Sequence, residues 1–407
     1  MDHVRAIRET DREPRPVYAV WELTLRCDQP CAHCGSRAGP APREGSSRWS
    51  ELDTEEALRV AGELAELGCR EVVLIGGEAY LRPDLAIIVE RLASKGLRVV
   101  MQTGGRALTE ERARALAAAG LSQIGVSIDG PARVHDRLRG NLGSHAAAIA
   151  AVSAARRAGL GVTTNSQINR LNMDLLDEMF EVFYGLGVRS WQVQLTVPMG
   201  RAADHPEWIV EPYMVVSILD ALAAIQERAA ERHSLANDGL PMFDVFCGNN
   251  LGYFGPHETL LRSRPGGAEV HWSGCKAGIY SIGIESDGHV KGCPSLPTVP
   301  FAGASVRDTP LATIWRDDAA LRFRREATAS ELWGFCETCH FGPVCGAGCA
   351  WTAHTTLGRR GNYPFCYHRV KVLARRGQRE RLVHVAPAPN APYDYGRFEL
   401  VLEDTPL

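Results

Sequence analysis

Twelve cysteines punctuate the chain, and ten of them stand in two groups. Three lie in CDQPCAHC, at Cys27, Cys31 and Cys34. Seven lie further on, at Cys275, Cys293, Cys336, Cys339, Cys345, Cys349 and Cys366. Only Cys69 and Cys247 stand apart, and Cys69 reads as a buried structural thiol. Grouped cysteines in a reducing compartment point to metal or redox chemistry rather than disulfides. A cubane iron–sulfur cluster is normally held by four cysteines. Three thiolates leave one iron with a position for a substrate or cofactor. A zinc site with His33 as fourth ligand competes for this loop, but structural zinc favours C-x2-C pairs and closed coordination. For the later group a pair of zinc ribbons remains open on spacing alone.

The bulk composition sets the compartment. The 407 residues are 45% hydrophobic and 23% charged, enough for a buried core and two domains. A net charge of −3 gives no electrostatic case for nucleic acid or an anionic membrane. The N-terminal MDHVRAIRETDREPRP lacks a signal-peptide core, and no apolar run approaches the roughly 20 residues of a membrane span. A cytoplasmic protein without nucleic-acid or membrane partners is expected.

Between the cysteine groups, strand and helix signals alternate. VYAVWELTLRC (17–27) reads as a strand, rich in β-branched and aromatic residues. LDTEEALRVAGELAELG reads as a helix, with Asp53 and Glu56 as a capping box. EVVLIGG, LRVVMQT, LSQIGVSID, LGVTTNSQI and VRSWQVQLTV are further strands, each followed by a helical stretch. Six such pairs predict an α/β fold, a partial (β/α)6 parallel barrel or an open doubly wound sheet. Ligands gather at the C-terminal strand ends of such folds. The unusual residues fall there: Cys27 after strand one, Gly76-Gly77-Glu78 after strand two, and Gln102-Thr103-Gly104-Gly105 after strand three. Ser127-Ile128-Asp129-Gly130 closes strand four, with Asn165, Gln192 and Gln194 in strands five and six. Gly-Gly and Asp-Gly are also ordinary turn pairs, and His135 and Asp136 also read as local caps.

Cys27, Cys31, His33 and Cys34 form C-x3-C-x-aromatic-C, which resembles the hallmark of the radical S-adenosylmethionine (SAM) enzymes. The resemblance implies a [4Fe–4S] cluster whose unique iron chelates the methionine end of S-adenosylmethionine. GGEA at Gly76–Ala79 is similar to the family's GGEP motif, with Ala79 in place of the usual Pro. It implies that Gly76, Gly77 and Glu78 line the cofactor's ammonium edge. SIDGPARVHDRLRG is similar to the family's strand-four stretch and implies a cofactor contact at Ser127. Thr103 is a further expected contact.

The later cysteine order resembles the SPASM domain appended to a subset of these enzymes, which implies two auxiliary [4Fe–4S] clusters. By that resemblance Cys336, Cys339, Cys345 and Cys366 close one, and Cys275, Cys293 and Cys349 hold the other. Either Cys247 supplies a fourth ligand to the second, or an iron keeps an open or non-cysteine position. The expected boundaries are a barrel over 16–235, a bridge over 236–270, a cluster domain over 271–377 and a tail, read as an extended strap, over 378–407. The segment before strand one is too short for a leader-binding domain, which is expected to be absent or supplied by another protein.

Enzymes with this domain pair mostly modify peptides. The resemblance implies that a 5′-deoxyadenosyl radical abstracts hydrogen and that a ribosomally made peptide is oxidatively crosslinked. A peptide substrate and an external one-electron reductant such as flavodoxin or ferredoxin are the implied partners. Oxidation of a sugar or aminocyclitol is the alternative. An iron–sulfur electron carrier or scaffold is another, against which the open three-cysteine loop argues. Pro294 stands where sulfatase-maturing relatives carry an acidic residue after the matching cysteine, here Cys293. Glu22, Tyr80, Trp191 and Arg201 all fall near the strand ends, and the sequence ranks none of them as an acid or base.

Overall fold

A computed structural model describes residues 13–40, 50–236 and 241–405. Most of the segment before strand one therefore lies outside the described residues. The six expected parallel strands are present: β1 (Tyr18–Glu22), β2 (Glu71–Ile75), β3 (Arg98–Thr103), β4 (Leu121–Ser127), β5 (Gly161–Ile168) and β6 (Ser190–Leu195). Each pairs in parallel with the next. The connecting helices are α1 (Thr54–Glu66), α2 (Leu85–Ser94), α3 (Glu110–Ala118), α4 (Ala132–Arg139), α5 (Ser144–Arg157), α6 (Leu176–Gly185) and α7 (Val215–Ala236). The capping box of α1 forms as expected, with Asp53 accepting from the Glu56 amide at 2.9 Å and the Glu56 side chain accepting from the Asp53 amide at 2.8 Å.

Three features add to the sequence expectation or differ from it. Asp244–Cys247, inside the expected bridge, is a seventh parallel strand, β7, on the edge of β6. The cluster domain joins the same sheet. Its β8 (Ser281–Ile284) pairs in parallel with β1, and β9 (His289–Lys291) and β10 (Ala302–Ser305) follow antiparallel. One ten-stranded sheet therefore runs β10-β9-β8-β1-β2-β3-β4-β5-β6-β7 through both parts. The tail is not an extended strap: β11 (Gln378–Ala386) and β12 (Arg397–Asp404) form an antiparallel hairpin. Pro206–Leu235 is long and apolar enough to pass for a membrane span, contrary to the expectation, but most of it is packed inside as core helix.

Strand alternation divides the barrel into two faces. Trp21, Leu74, Met101, Val126, Trp191 and Leu195 point outward into the main core beneath the helices. Inward, Val20, Val73 and Val100 form a small apolar patch with Tyr18 and Ile75. The inward positions of β3 to β6 are polar instead: Gln102, Ser127, Asn165, Gln167, Gln192 and Gln194. Asn165 donates across β4 to the Gln102 side chain. Gly125, between them in the ladder, permits this, because a Cβ there would sit 2.7 Å from the Asn165 amide nitrogen.

Candidate functional site

β1 ends at Glu22, so Cys27 lies beyond the strand in an irregular loop rather than closing it. Side chains and backbone from distant segments hold that loop. Cys27 N donates to Gly39 O at 2.8 Å, and Ala32 N to Leu138 O at 2.8 Å. Arg201 grips it three times: its amide donates to Cys34 O at 2.9 Å, and its guanidinium to Cys31 O at 2.6 Å and Ala38 O at 2.9 Å. Arg37, buried, donates to Asp394 at 2.7 Å, to both oxygens of Asp204 at 2.7 Å and to Gly200 O at 2.8 Å. Asp394 belongs to the loop joining β11 and β12, so the tail clamps the first cysteine loop. Beside it the Tyr393 hydroxyl donates to Glu22 at the inner end of β1.

The Gly76-Gly77-Glu78 turn is zipped to the same loop. Gly77 N donates to Thr24 O at 2.7 Å and Glu78 N to Arg26 O at 2.8 Å. Glu78 then spans to the end of β3, accepting from Thr103 Oγ1 and from Gly104 N, both at 2.6 Å. Burial lifts its carboxyl to about 7, against those two hydrogen bonds, which lower it. Ser127 is half-buried on the inner face, opposite Asn165. The structure thus gathers Cys27, Cys31, Cys34, Gly76, Gly77, Glu78, Thr103 and Ser127 at one end of the barrel.

Gly77→Ala tests this close approach. The added methyl would lie 2.7 Å from Cys27 Cβ, so the loop must move. Overpacking of this kind costs about 1–3 kcal/mol, and S-adenosylmethionine binding is expected to weaken about tenfold, read by equilibrium dialysis. At Gly39 an added methyl meets nothing, so Gly39→Ala should bind as the wild type does.

A buried charge hub stiffens the site from behind. Arg139 donates to Asp129 Oδ2 through Nε at 2.9 Å and Nη2 at 2.6 Å, and through Nη1 to Cys31 Sγ at 3.8 Å. His33 Nε2 lies 3.4 Å from the same carboxylate oxygen. Gln167 N donates to Asp129 Oδ1 at 2.9 Å. Burial alone would raise the Asp129 carboxyl, but Arg139 and His33 outweigh it and hold it far below the usual range. Burial, then Arg139, pushes His135 down to about 3, in keeping with its neutral Nδ1 accepting from the Asp129 amide at 3.1 Å. Asp129 and His135 are therefore hub members, not a mere turn residue and local cap. Arg37, Arg139 and Asp394 were not singled out in the sequence.

The mouth residues take different parts. Trp191 is fully buried on the outer face, donating to Ser166 at 2.9 Å. Tyr80 donates to Asp28 at 2.8 Å. Glu22 points inward, toward Tyr393 and the Ser286 amide at 3.3 Å.

The donor chemistry fits an iron–sulfur cluster and its cofactor. Burial raises the Cys27 thiol strongly and takes Cys31 to about 11, so a bound cation is what favours these groups as thiolates. Asp28 Oδ1, Gln29 Nε2 and Asn165 Oδ1 are buried without protein partners, polar atoms suited to a polar ligand. In the C-terminal domain Cys336, Cys339, Cys345 and Cys366 line one cavity with Tyr253, Phe341 and Tyr363. Cys275, Cys293 and Cys349 influence one another in a second cluster of thiols. Cys247 joins neither: it lies at the end of β7, where burial takes it to about 12 and its charged neighbours are Arg262, Glu258 and Asp244. Cys69 is a buried thiol near Glu71 O at 3.3 Å.

Comparison with known proteins agrees with this geometry. The Radical SAM superfamily signature matches residues 21–183, and the SPASM iron–sulfur cluster-binding domain matches residues 275–340. The chain is 30% identical over 357 residues to the AdoMet-dependent heme synthase of Methanosarcina barkeri, covering 87% of this chain and 97% of that relative. It is 38% identical over 197 residues to the PqqA peptide cyclase of Methylocella silvestris, covering 47% and 52%. Streptococcus suis SuiB bound to precursor peptide SuiA shares the fold, at a TM-score of 0.61 and 13% identity over 88% of this chain and 76% of that one. Similarity along nearly the whole length of a relative, on top of the two domain matches, makes this chain a radical SAM enzyme with a SPASM domain, one that binds a [4Fe–4S] cluster and S-adenosylmethionine in its barrel and iron–sulfur in its C-terminal domain.

Proposed function

We propose that this enzyme oxidatively crosslinks a ribosomally made peptide. The observation that carries the reading is the row of side-chain amides inside the barrel: Gln102, Asn165, Gln167, Gln192 and Gln194 on β3, β5 and β6. Each amide offers a donor and an acceptor, the match for a peptide backbone. The likeness to a PqqA peptide cyclase supports the same reading, as does a fold shared with a protein solved with its precursor peptide.

In this reading Cys27, Cys31 and Cys34 hold the barrel cluster. The Gly76 and Gly77 carbonyls, with Glu78, Thr103 and Ser127, surround S-adenosylmethionine. Cys336, Cys339, Cys345 and Cys366 hold one auxiliary cluster, and Cys275, Cys293 and Cys349 hold the other with a position left to a ligand other than Cys247. When bound, the cluster and cofactor supply a 5′-deoxyadenosyl radical that abstracts hydrogen. The chain's own part is to position: the Asp129–Arg139 hub fixes Cys31, Arg201 and Arg37 fix the loop, and the barrel wall shields the reacting carbon from water. The reading includes a flavodoxin or ferredoxin as reductant, in the cytoplasm.

A second reading is a reaction on a tetrapyrrole, favoured by the 30% identity to a heme synthase covered over 97% of its length.

The deciding experiment co-expresses the enzyme anaerobically with each short reading frame flanking its gene. The expected result is a peptide lighter by two hydrogens, with fragmentation blocked between the joined residues. Unmodified peptides together with turnover of iron coproporphyrin would overturn the peptide reading in favour of the second.

A further inference from the structure

A cleft of about 280 Å³ opens in the C-terminal domain between Arg324 and Arg360. Its wall includes Gly346 and Ala350, the residues after Cys345 and Cys349. Gly274, just before Cys275, also abuts it: a Cβ there would sit 3.6 Å from the Arg324 guanidinium. The cleft thus adjoins cysteines of both auxiliary groups.

Its two arginines have donors to spare. Arg324 Nε is buried with no acceptor, and so is Arg360 Nη1. Arg322 pairs with Glu326 at 3.2 Å and Arg360 with Glu331 at 3.6 Å, whereas among the described residues no carboxylate pairs with Arg324. Arg360 lies over the Phe323 ring at 4.4 Å, and its partner Glu331 lines the same cleft, so Arg324 is the fork left without a carboxylate. The two guanidiniums repel each other, as Arg324 and Lys276 also do. Buried guanidinium donors without acceptors are costly, and an anion between the two satisfies both.

We infer that this cleft binds a carboxylate of the substrate and so anchors it beside the auxiliary clusters. The inference rests on the proposed peptide reading only for the bearer of that group, since a tetrapyrrole propionate presents the same chemistry. Charge balance for the nearby thiolates explains the presence of cations there. It does not explain why two arginines that each keep a buried nitrogen without an acceptor line the same cleft.

The test uses anaerobic holoenzyme as wild type, Arg324→Gln, Arg360→Gln and Arg324→Lys, with iron content confirming that each variant is loaded. Three probes are titrated by equilibrium dialysis: acetyl-Gly-Glu-Gly-Glu-Gly-amide, its Gln counterpart, and iron coproporphyrin III. The Glu peptide should bind the wild type and lose about tenfold in either Gln variant, with the Lys variant between. The Gln peptide should not bind measurably. Equal binding of Glu and Gln peptides, equal binding by all variants, or no binding of any probe overturns the inference. So does a shift in auxiliary-cluster potential without any change in affinity, which would assign the arginines to charge balance. Arginine-dependent binding of the porphyrin but not the Glu peptide keeps the carboxylate site and sinks the peptide reading instead.

Discussion

Replacing Cys27, Cys31 and Cys34 together with Ala is expected to abolish 5′-deoxyadenosine formation while leaving the auxiliary iron in place. The three thiols sit on one loop held by the barrel, whereas the seven others lie in the C-terminal domain and influence one another there. Among the described residues nothing else at the barrel's end offers three soft ligands: the neighbouring groups are Asp28 and Glu78, hard oxygen donors ill suited to this cluster. Iron should fall by about a third, from roughly twelve atoms to eight, if each cluster holds four. Loss of product follows because the electron that cleaves the cofactor must enter through this cluster. The measurement pairs chromatography of the nucleoside with iron analysis of the reconstituted protein. Product from the triple variant would place the cofactor's cluster elsewhere, and loss of all iron would show that the two parts do not fold independently of the first loop.

Asp129→Asn should be the most destabilising single change at the hub. It leaves Arg139, at the back of Cys31, without its carboxylate in a buried setting. Breaking one partner out of such a pair costs about 3–5 kcal/mol, a large share of the roughly 5–15 kcal/mol that holds a protein folded. An exposed pair makes the contrast: Glu181→Gln, which removes the partner of Arg232 at 2.7 Å, should cost less than about 1 kcal/mol. Urea unfolding of the metal-free chains separates the two. The sign of the pH effect follows from the depressed Asp129 carboxyl. Its contribution is present in full above the unfolded value of about 4 and is lost progressively as pH falls below it. The Asn variant should therefore lose less stability between pH 5 and pH 3 than the wild type. Equal acid sensitivity would mean that Asp129 is not the group being protonated.

How much of this was legible in the sequence depended on whether a feature leaves a local period. Strands β1 to β6 did, because their outward residues must be apolar to meet the helices. The spacing of Cys27, Cys31 and Cys34 did, because those three thiols share one short loop. β7 did not: four residues, DVFC, in a Gly- and Pro-rich stretch carry too little pattern to outweigh their surroundings. The tail hairpin had a readable alternation in RERLVHV and RFELVLE, and the Pro-rich segment between them masked it. Arg139 lies ten residues from Asp129, and Arg37 lies 357 from Asp394, so no window of sequence contains the second pair. Contacts of that range are specified by the fold as a whole. That is why a short cysteine loop is legible in a window of sequence and its supports are not.

The Arg37–Asp394 and Glu22–Tyr393 contacts also bear on how the protein is made. The first cysteine loop is made well before the residues that clamp it, which follow 357 and 371 positions later. A nascent chain therefore presents Cys27, Cys31 and Cys34 on a loop not yet fastened. Cluster delivery to a finished polypeptide meets the fastened loop, and delivery during translation does not. A production strain that makes the polypeptide faster than it supplies iron and sulfide should still yield protein that can be loaded afterwards, provided the last residues are intact.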